Sequence, residues 1–196
     1  MLIVTPDNFE IYSDFFPNLT CNRWDFPSGY NSRSVFHSAV IDQNYILFAG
    51  NSGMGDFVGE FGHSSYGNSD LYEYHAKCLF DSALGNDIPI ICINWGMSLL
   101  GIKHGLNFRS SEGTENHLVT YKSSMYAVNS YHRYNMLPIR SSRYKYDVVS
   151  EPYIESVYIP SQKTFGVRWN PVENCPQSGV DLFDKLLKEY MKVTRG

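Results

Sequence analysis

Pro89-Ile90-Ile91-Cys92-Ile93-Asn94-Trp95-Gly96-Met97-Ser98-Leu99-Leu100 reads as a buried strand driven into a tight turn and then into a helix. The apolar β-branched run ends where a Gly-containing turn begins, and an apolar helix start follows. This is the pattern of a strand-to-helix elbow, which holds one residue in a strained turn at the top of a sheet. The residue at the tip decides what such a turn can do. An elbow built for covalent chemistry presents Ser or Cys; here the tip falls on Asn94, whose amide is neither a thiolate nor an alkoxide.

Working outward, strand and helix signals alternate. Met1 to Thr5 reads as a first strand, and residues Pro17 to Ser34 as loop. Tyr45-Ile46-Leu47-Phe48-Ala49 is a continuous apolar run, as expected of a strand covered on both faces. A Gly-rich segment follows as far as Tyr66. Leu71, Tyr74, Cys78 and Leu79 recur at helical spacing, with Asn68, Ser69 or Asp70 as cap and Gly85-Asn86-Asp87 as stop. The elbow helix spans about Gly96 to His104. Leu118 to Tyr121 and Met125 to Val128 read as strands. Tyr153 to Ile159 and Thr164 to Trp169 read as a hairpin pair around Pro160-Ser161-Gln162-Lys163. A last amphipathic helix, about Val180 to Val193, puts Leu182, Phe183, Leu186, Leu187 and Tyr190 on one face. The alternation predicts an α/β three-layer sandwich around a central, mostly parallel sheet.

The 196 residues are expected to form one domain, 1–196, with net charge −4 and no block of like charge. That balance argues against a nucleic-acid binder, and no window approaches a membrane span. Met1-Leu2-Ile3-Val4-Thr5-Pro6 lacks the basic start and long apolar core of a signal peptide. Cys21, Cys78, Cys92 and Cys175 form no CxxC or zinc-ligand spacing, so reduced thiols and a cytoplasmic location are expected. No metal or cofactor is expected. Abundant Tyr, Asn, Ser and Phe with scarce Ala suggest an AT-rich coding sequence, as in a phage or low-GC bacterium.

Four segments, in order, now carry a resemblance. Tyr45-Ile46-Leu47-Phe48-Ala49-Gly50-Asn51 is similar to a strand ending in Pro-Gly-Gly. The elbow is similar to Pro-x-x-Gly-Ile-Cys-x-Gly-x-Gln. Val128-Asn129-Ser130-Tyr131-His132 resembles Val-Asn-Ser-x-His, and Phe165-Gly166-Val167-Arg168-Trp169-Asn170-Pro171 resembles Gly-Val-Gln-Trp-His-Pro-Glu. Together they resemble the class I glutamine amidotransferase-like superfamily (flavodoxin-like), closest to its γ-glutamyl hydrolase and γ-glutamyl-GABA hydrolase branch, the peptidase C26 group. The likeness is strongest over 45–190.

The resemblance implies a Cys nucleophile, a His base oriented by Glu, and an oxyanion hole. Position by position, the nucleophile place holds Asn94 and the His place Asn170. The Glu place holds Val172, with Glu173 one residue late. Asn51 stands for the second Gly of the oxyanion loop, after Gly50, and Ser98 for the Gln after the elbow. Without thiol and imidazole no thioester forms and no ordinary base remains near neutral pH. The first expectation is therefore a protein of this class lacking the Cys-His-Glu triad, working as a non-hydrolysing binding or assembly component. A second is altered chemistry on a glutamine, γ-glutamyl or related amide substrate through His132 or Glu173. A third is a regulatory partner of a synthetase or ligase. The partners to consider are a small amide or γ-glutamyl ligand, a protein, or a second copy.

Each candidate has a plainer reading. His132 is either a pocket base or a structural histidine, and both stand. Trp95 either walls a substrate pocket or lines a loop or partner surface. Ser130 goes with His132 as a substrate contact. Glu173, with no His to orient, reads first as a loop carboxylate. Asn94 and Asn170 read either as a polar binding pocket or, by preference, as amides that satisfy each other. Cys92, inside the strand, reads as buried and inert. His37, His63, His75, His104 and His117 read as surface or loop residues. Gly53-Met54-Gly55 lacks the Gly-Lys-Ser/Thr ending of a phosphate loop. Lys122, Arg133, Arg140, Arg143 and Lys145, among the aromatics of Tyr121 to Tyr146, read as ordinary surface rather than a nucleic-acid patch.

Overall fold

The apolar runs do become strands of one central sheet. A computed structural model describes residues 1–6, 8–25, 33–50, 68–110, 116–130 and 134–193, with the backbone alone for 68–73. The sheet contains β1 (Leu2–Val4), β2 (Asn22–Arg23), β3 (Ile46–Gly50), β4 (Ile90–Asn94), β11 (Ser156–Ile159) and β12 (Thr164–Val167), in the order β11-β12-β4-β3-β1-β2. Every pairing is parallel except β11 with β12. This is an α/β protein with a mostly parallel central sheet, as the alternation of elements predicted.

The strands are apolar throughout because both faces are covered. Ile3, Leu47, Ala49, Ile91, Ile93, Phe165 and Val167 point to one face, where they meet Tyr12 and Phe16 beside α1 (Phe9–Phe15) and Leu182, Phe183 and Leu186 of α5 (Gln177–Leu186). Leu2, Val4, Ile46, Phe48, Ile90 and Cys92 point to the other. There they meet α2 (Arg33–Val40), α3 (Asn68–Gly85) and α4 (Trp95–Lys103) through Phe36, Val40, Ala76, Leu79, Phe80, Met97 and Leu100. The period-2 alternation of strand side chains produces the three layers. α1 starts at Asn8, whose side chain accepts a hydrogen bond from the Glu10 amide at 3.0 Å.

A second, antiparallel sheet packs beyond α4. It comprises β5 (Asn107–Ser110), β6 (Asn116–Tyr121), β7 (Ser124–Asn129), β8 (Tyr134–Leu137), β9 (Val148–Ser150) and β10 (Tyr153–Ile154), ordered β5-β8-β10-β9-β6-β7. A Cβ on Gly101 would come within 2.4 Å of Met136 Cε and 2.7 Å of Phe108 Cζ, so α4 is wedged between the two sheets. The sequence reading placed the β6 and β7 strands correctly but did not foresee this sheet, nor α1, α2 or β2. It also took Tyr153 to Ile159 as a single strand. The chain breaks at Glu155, whose amide bonds to Val148 O at 2.9 Å while its carbonyl accepts from Arg168 N at 2.9 Å. One residue thus bridges the sheets, which puts β10 in one and β11 in the other.

The β6–β7 turn is tied to the C-terminal helical segment. Lys122 and Ser123 both have positive φ, 46° and 66°, as a two-residue hairpin turn of this hand requires. Tyr121 Oη donates to Glu189 Oε2 at 2.5 Å, and Lys122 Nζ reaches both Glu189 oxygens at 3.0 Å. These bonds hold the Glu189 carboxyl below its ordinary value. A depressed carboxyl contributes stability that is present above its unfolded pKa and is lost as pH falls through the lower folded one. Glu189→Gln is therefore expected to flatten the acid limb of a stability–pH curve below about pH 4.3, leaving the curve near neutrality displaced but parallel. Urea denaturation at stepped pH checks this.

Candidate functional site

The parallel strands end together, and their C-terminal edge is where open α/β sheets place ligand sites. Gly50, last in β3, pairs in register with Asn94, last in β4. Val167 pairs with Ile93, so Arg168 leaves β12 level with Asn94. Asn94 has φ 49° and ψ −96° and caps α4 without a side-chain hydrogen bond to the helix. That backbone conformation is costly for any residue with a Cβ, by about 1–3 kcal/mol. The turn is therefore an elbow in geometry as well as in sequence pattern. It is also closed, since Asn94 is 3 % exposed.

Glycines set its tightness. A Cβ on Gly96 would stand 2.0 Å from the carbonyl oxygen of Phe48, and one on Gly166 would stand 2.6 Å from Met97 Sδ. α4 can therefore lie against the sheet only without side chains at these two points. Cys92, two residues before the tip, is fully buried, and burial pushes its thiol well above the ordinary value. It is no substitute nucleophile.

Asn170 is fully buried. Its Oδ1 accepts from Val172 N at 3.0 Å, and its Nδ2 donates to Tyr12 Oη at 3.4 Å. Those bonds go to its own loop and to α1. The loop itself is held by Asn129, at the end of β7. Asn129 Nδ2 donates to Asn170 O and Glu173 O, both at 2.7 Å, and Oδ1 accepts from Asn170 N at 2.8 Å. Asn129 lies within the Val128–His132 segment, and its role is not legible there because its partners are 41 and 44 residues away. Glu173 is thus held through its backbone, at the side of Asn170. Trp169, wholly buried, donates from Nε1 to Gly179 O at 3.2 Å and docks the start of α5.

Trp95 is 3 % exposed and packs in the apolar cluster on the α2–α3–α4 face. Ser130 is half-buried just past β7. Asn51, His132, His63, Arg133 and the Gly53–Gly55 stretch lie outside the described residues. Of the histidines read as surface or loop, His75 is instead fully buried in α3; His117 is half-buried in β6, 3.2 Å from the buried Glu155 carboxylate, and His104 is half-buried in the turn that ends α4, beside Tyr144. Burial lowers the His104 pKa.

Among the described residues no three His, Cys, Asp or Glu side chains are grouped to hold a metal, and no helix is long and apolar enough to cross a membrane. A cleft of about 280 Å³ runs between α3 and α4, lined by Lys77, Phe80, Asp81, Leu99, Ile102 and Lys103. It lies at the C-terminal half of α4, away from Asn94, and its Lys103 and Asp81 pair with each other.

The architecture defines the class: the chain has a class I glutamine amidotransferase-like fold. One solved structure with this architecture is a protein assigned as a GMP synthase component from Thermoplasma acidophilum (TM-score 0.65, 12 % identity, 98 % of each chain covered). Another is a glutamine amidotransferase from Thermotoga maritima (0.63, 15 %, 100 % of this chain and 86 % of that one). A third is the glutaminase domain of CTPS from Trypanosoma brucei with bound acivicin (0.60, 13 %, 97 % and 93 %). No protein-family profile and no curated protein matches the sequence.

Proposed function

We propose that this protein is a glutamine amidotransferase-like relative, nearest the peptidase C26 branch, that has lost the Cys-His-Glu triad and acts by binding rather than by hydrolysis. The observation that carries the reading is Asn94 itself. A strained, positive-φ turn at the C-terminal edge of the sheet still presents a side chain with a Cβ, where glycine would relieve the strain. The turn keeps its cost without a residue able to form a covalent intermediate. Asn170, at the place where a base would sit, cannot titrate, and its amide is engaged with Val172 and Tyr12. The ligand class that the resemblance implies is a small amide or γ-glutamyl-type molecule. A protein partner is the natural output for a domain that binds and does not turn over.

The test is a glutaminase and γ-glutamyl peptidase assay on the native chain, on His132→Ala, and on Asn94→Cys/Asn170→His. The native chain is expected to show no turnover above buffer, and the double variant to gain measurable thioester chemistry. Native turnover that disappears in His132→Ala would overturn the proposal. In the same series Asn94→Gly is expected to raise Tm by about 2–4 °C, the equivalent of roughly 1 kcal/mol in a chain of this size.

A further inference from the structure

α3 and α4 line the gap between them with residues at the same spacing. On α3 these are Lys77, Phe80 and Asp81, and on α4 Leu99, Ile102 and Lys103. Positions i, i+3 and i+4 lie on one side of a helix, so each helix turns a single face to the gap. Phe80 and Leu99, 1 % and 2 % exposed, make the floor, with Ile102 half-buried beside them. Lys77, Asp81 and Lys103 are exposed and stand at the rim. The result is the cleft of about 280 Å³ described above, apolar within and charged at its mouth.

Size and lining select the occupant. A dry cavity of about 150 Å³ lined by Leu, Ile and Phe holds a benzene ring. This cleft is larger and has the same three residue types at its base, so it accommodates a ring with a short substituent. The rim sets two lysines against one aspartate, an excess of positive charge. Lys103 Nζ pairs with Asp81 Oδ1 across the gap, from one helix to the other. Their side chains are 41 % and 58 % exposed, and an ion pair that wet contributes little to stability. Asp81 thus occupies on Lys103 the place that a ligand's carboxylate can take at small cost. An apolar body with a few placed polar groups is the general form of a small-molecule site.

We propose that the α3–α4 cleft binds a small aromatic monocarboxylate, with its ring on Phe80, Leu99 and Ile102 and its carboxylate on Lys103 in place of Asp81. Lys77 adds a second positive charge from the opposite helix. The site is separate from the Asn94 elbow and goes beyond the binding reading above, so neither depends on the other.

Phenylacetate, phenylacetamide and phenethylamine share one ring and differ in charge, and they are the probes. Titration of the full chain, followed by backbone amide chemical shifts, is expected to place phenylacetate between the two helices, with the largest shifts over 77–81 and 99–103. Phenylacetate is expected to bind about 3-fold or more tighter than phenylacetamide, the scale of exposed ion pairs, and phenethylamine most weakly. Asp81→Asn takes the competing carboxylate off Lys103 and is expected to tighten phenylacetate by about 3-fold while leaving phenylacetamide unchanged. Lys103→Met is expected to remove the preference for the anion. Both positions are exposed, so these variants keep the fold. Ile102→Trp fills the cleft and is expected to abolish binding of all three probes; the two exposed variants carry the test if it does not fold. Phenylacetamide binding as tightly as phenylacetate would overturn the site. So would shifts away from α3 and α4, an Asp81→Asn affinity equal to wild type, or no phenylacetate binding at all.

Discussion

Gly96→Ala is expected to unfold the elbow layer. The added Cβ would meet the Phe48 carbonyl oxygen at 2.0 Å, its carbon at 2.7 Å and its Cβ at 2.9 Å. Two of these atoms are backbone of the central strand β3, which cannot swing aside as a flexible side chain could. α4 would have to lift off the sheet, but its far side is wedged against the second sheet at Gly101, where Met136 and Phe108 close in. Overpacking a close-packed interior costs about 1–3 kcal/mol when side chains can adjust. With backbone on one side and a second sheet on the other, about 3 kcal/mol or more is expected. Gly85→Ala is the matched control, since a Cβ there has nothing within 4 Å. Urea denaturation of both variants checks the pair; equal midpoints would mean that α4 does not lie as close to β3 as described.

The second large effect is expected from Asn129→Ala. This amide, 1 % exposed, makes three hydrogen bonds to backbone groups of the 170–173 loop. Its loss leaves the Asn170 amide and two carbonyls without that partner, each at a cost of about 1–3 kcal/mol where water cannot reach. A total of about 3 kcal/mol is expected, with faster hydrogen exchange at the Asn170 amide than elsewhere in the sheet. Asn129→Asp keeps the acceptor but turns an anion toward two carbonyl oxygens, and it is expected to be no more stable than the alanine variant at neutral pH. If Asn129→Ala matched wild type in denaturation and exchange, the loop would have to be held by other bonds.

Much of the central sheet was readable in advance, and the reason is local. Ile46–Gly50, Ile90–Asn94 and Thr164–Val167 are apolar at nearly every position because helices cover both faces, and uninterrupted apolarity is a property of sequence. The helix Asn68–Gly85 ends at its own stop residues, Gly85-Asn86-Asp87, and the cap candidates Asn68, Ser69 and Asp70 fall within its first turn. The second sheet was not readable as a sheet. Its strands are short and half-exposed, such as Asn107–Ser110 and Tyr153–Ile154, and they pair across long separations.

The candidate site divides in the same way. Asn94 could be placed at a turn tip because the strand, the glycine and the helix start flank it directly. Asn129 and Arg168 stood in quoted motifs, yet their roles depend on partners 41 and 70 residues away. Glu155 likewise gave no signal, because a lone glutamate in an extended run looks like any surface carboxylate until two sheets close over it.

By itself, then, the sequence determined the α/β architecture and the absence of a thiol or hydroxyl at the elbow tip, since both follow from residue identity and short-range periodicity. Tertiary structure alone decided that Asn94 is closed from solvent, that Asn170 is turned into its own loop and α1, and that a buried arginine stands level with the tip. Those are consequences of which distant segments share an interior, and in a low-dielectric interior the partner, not the residue type, determines what a polar group does.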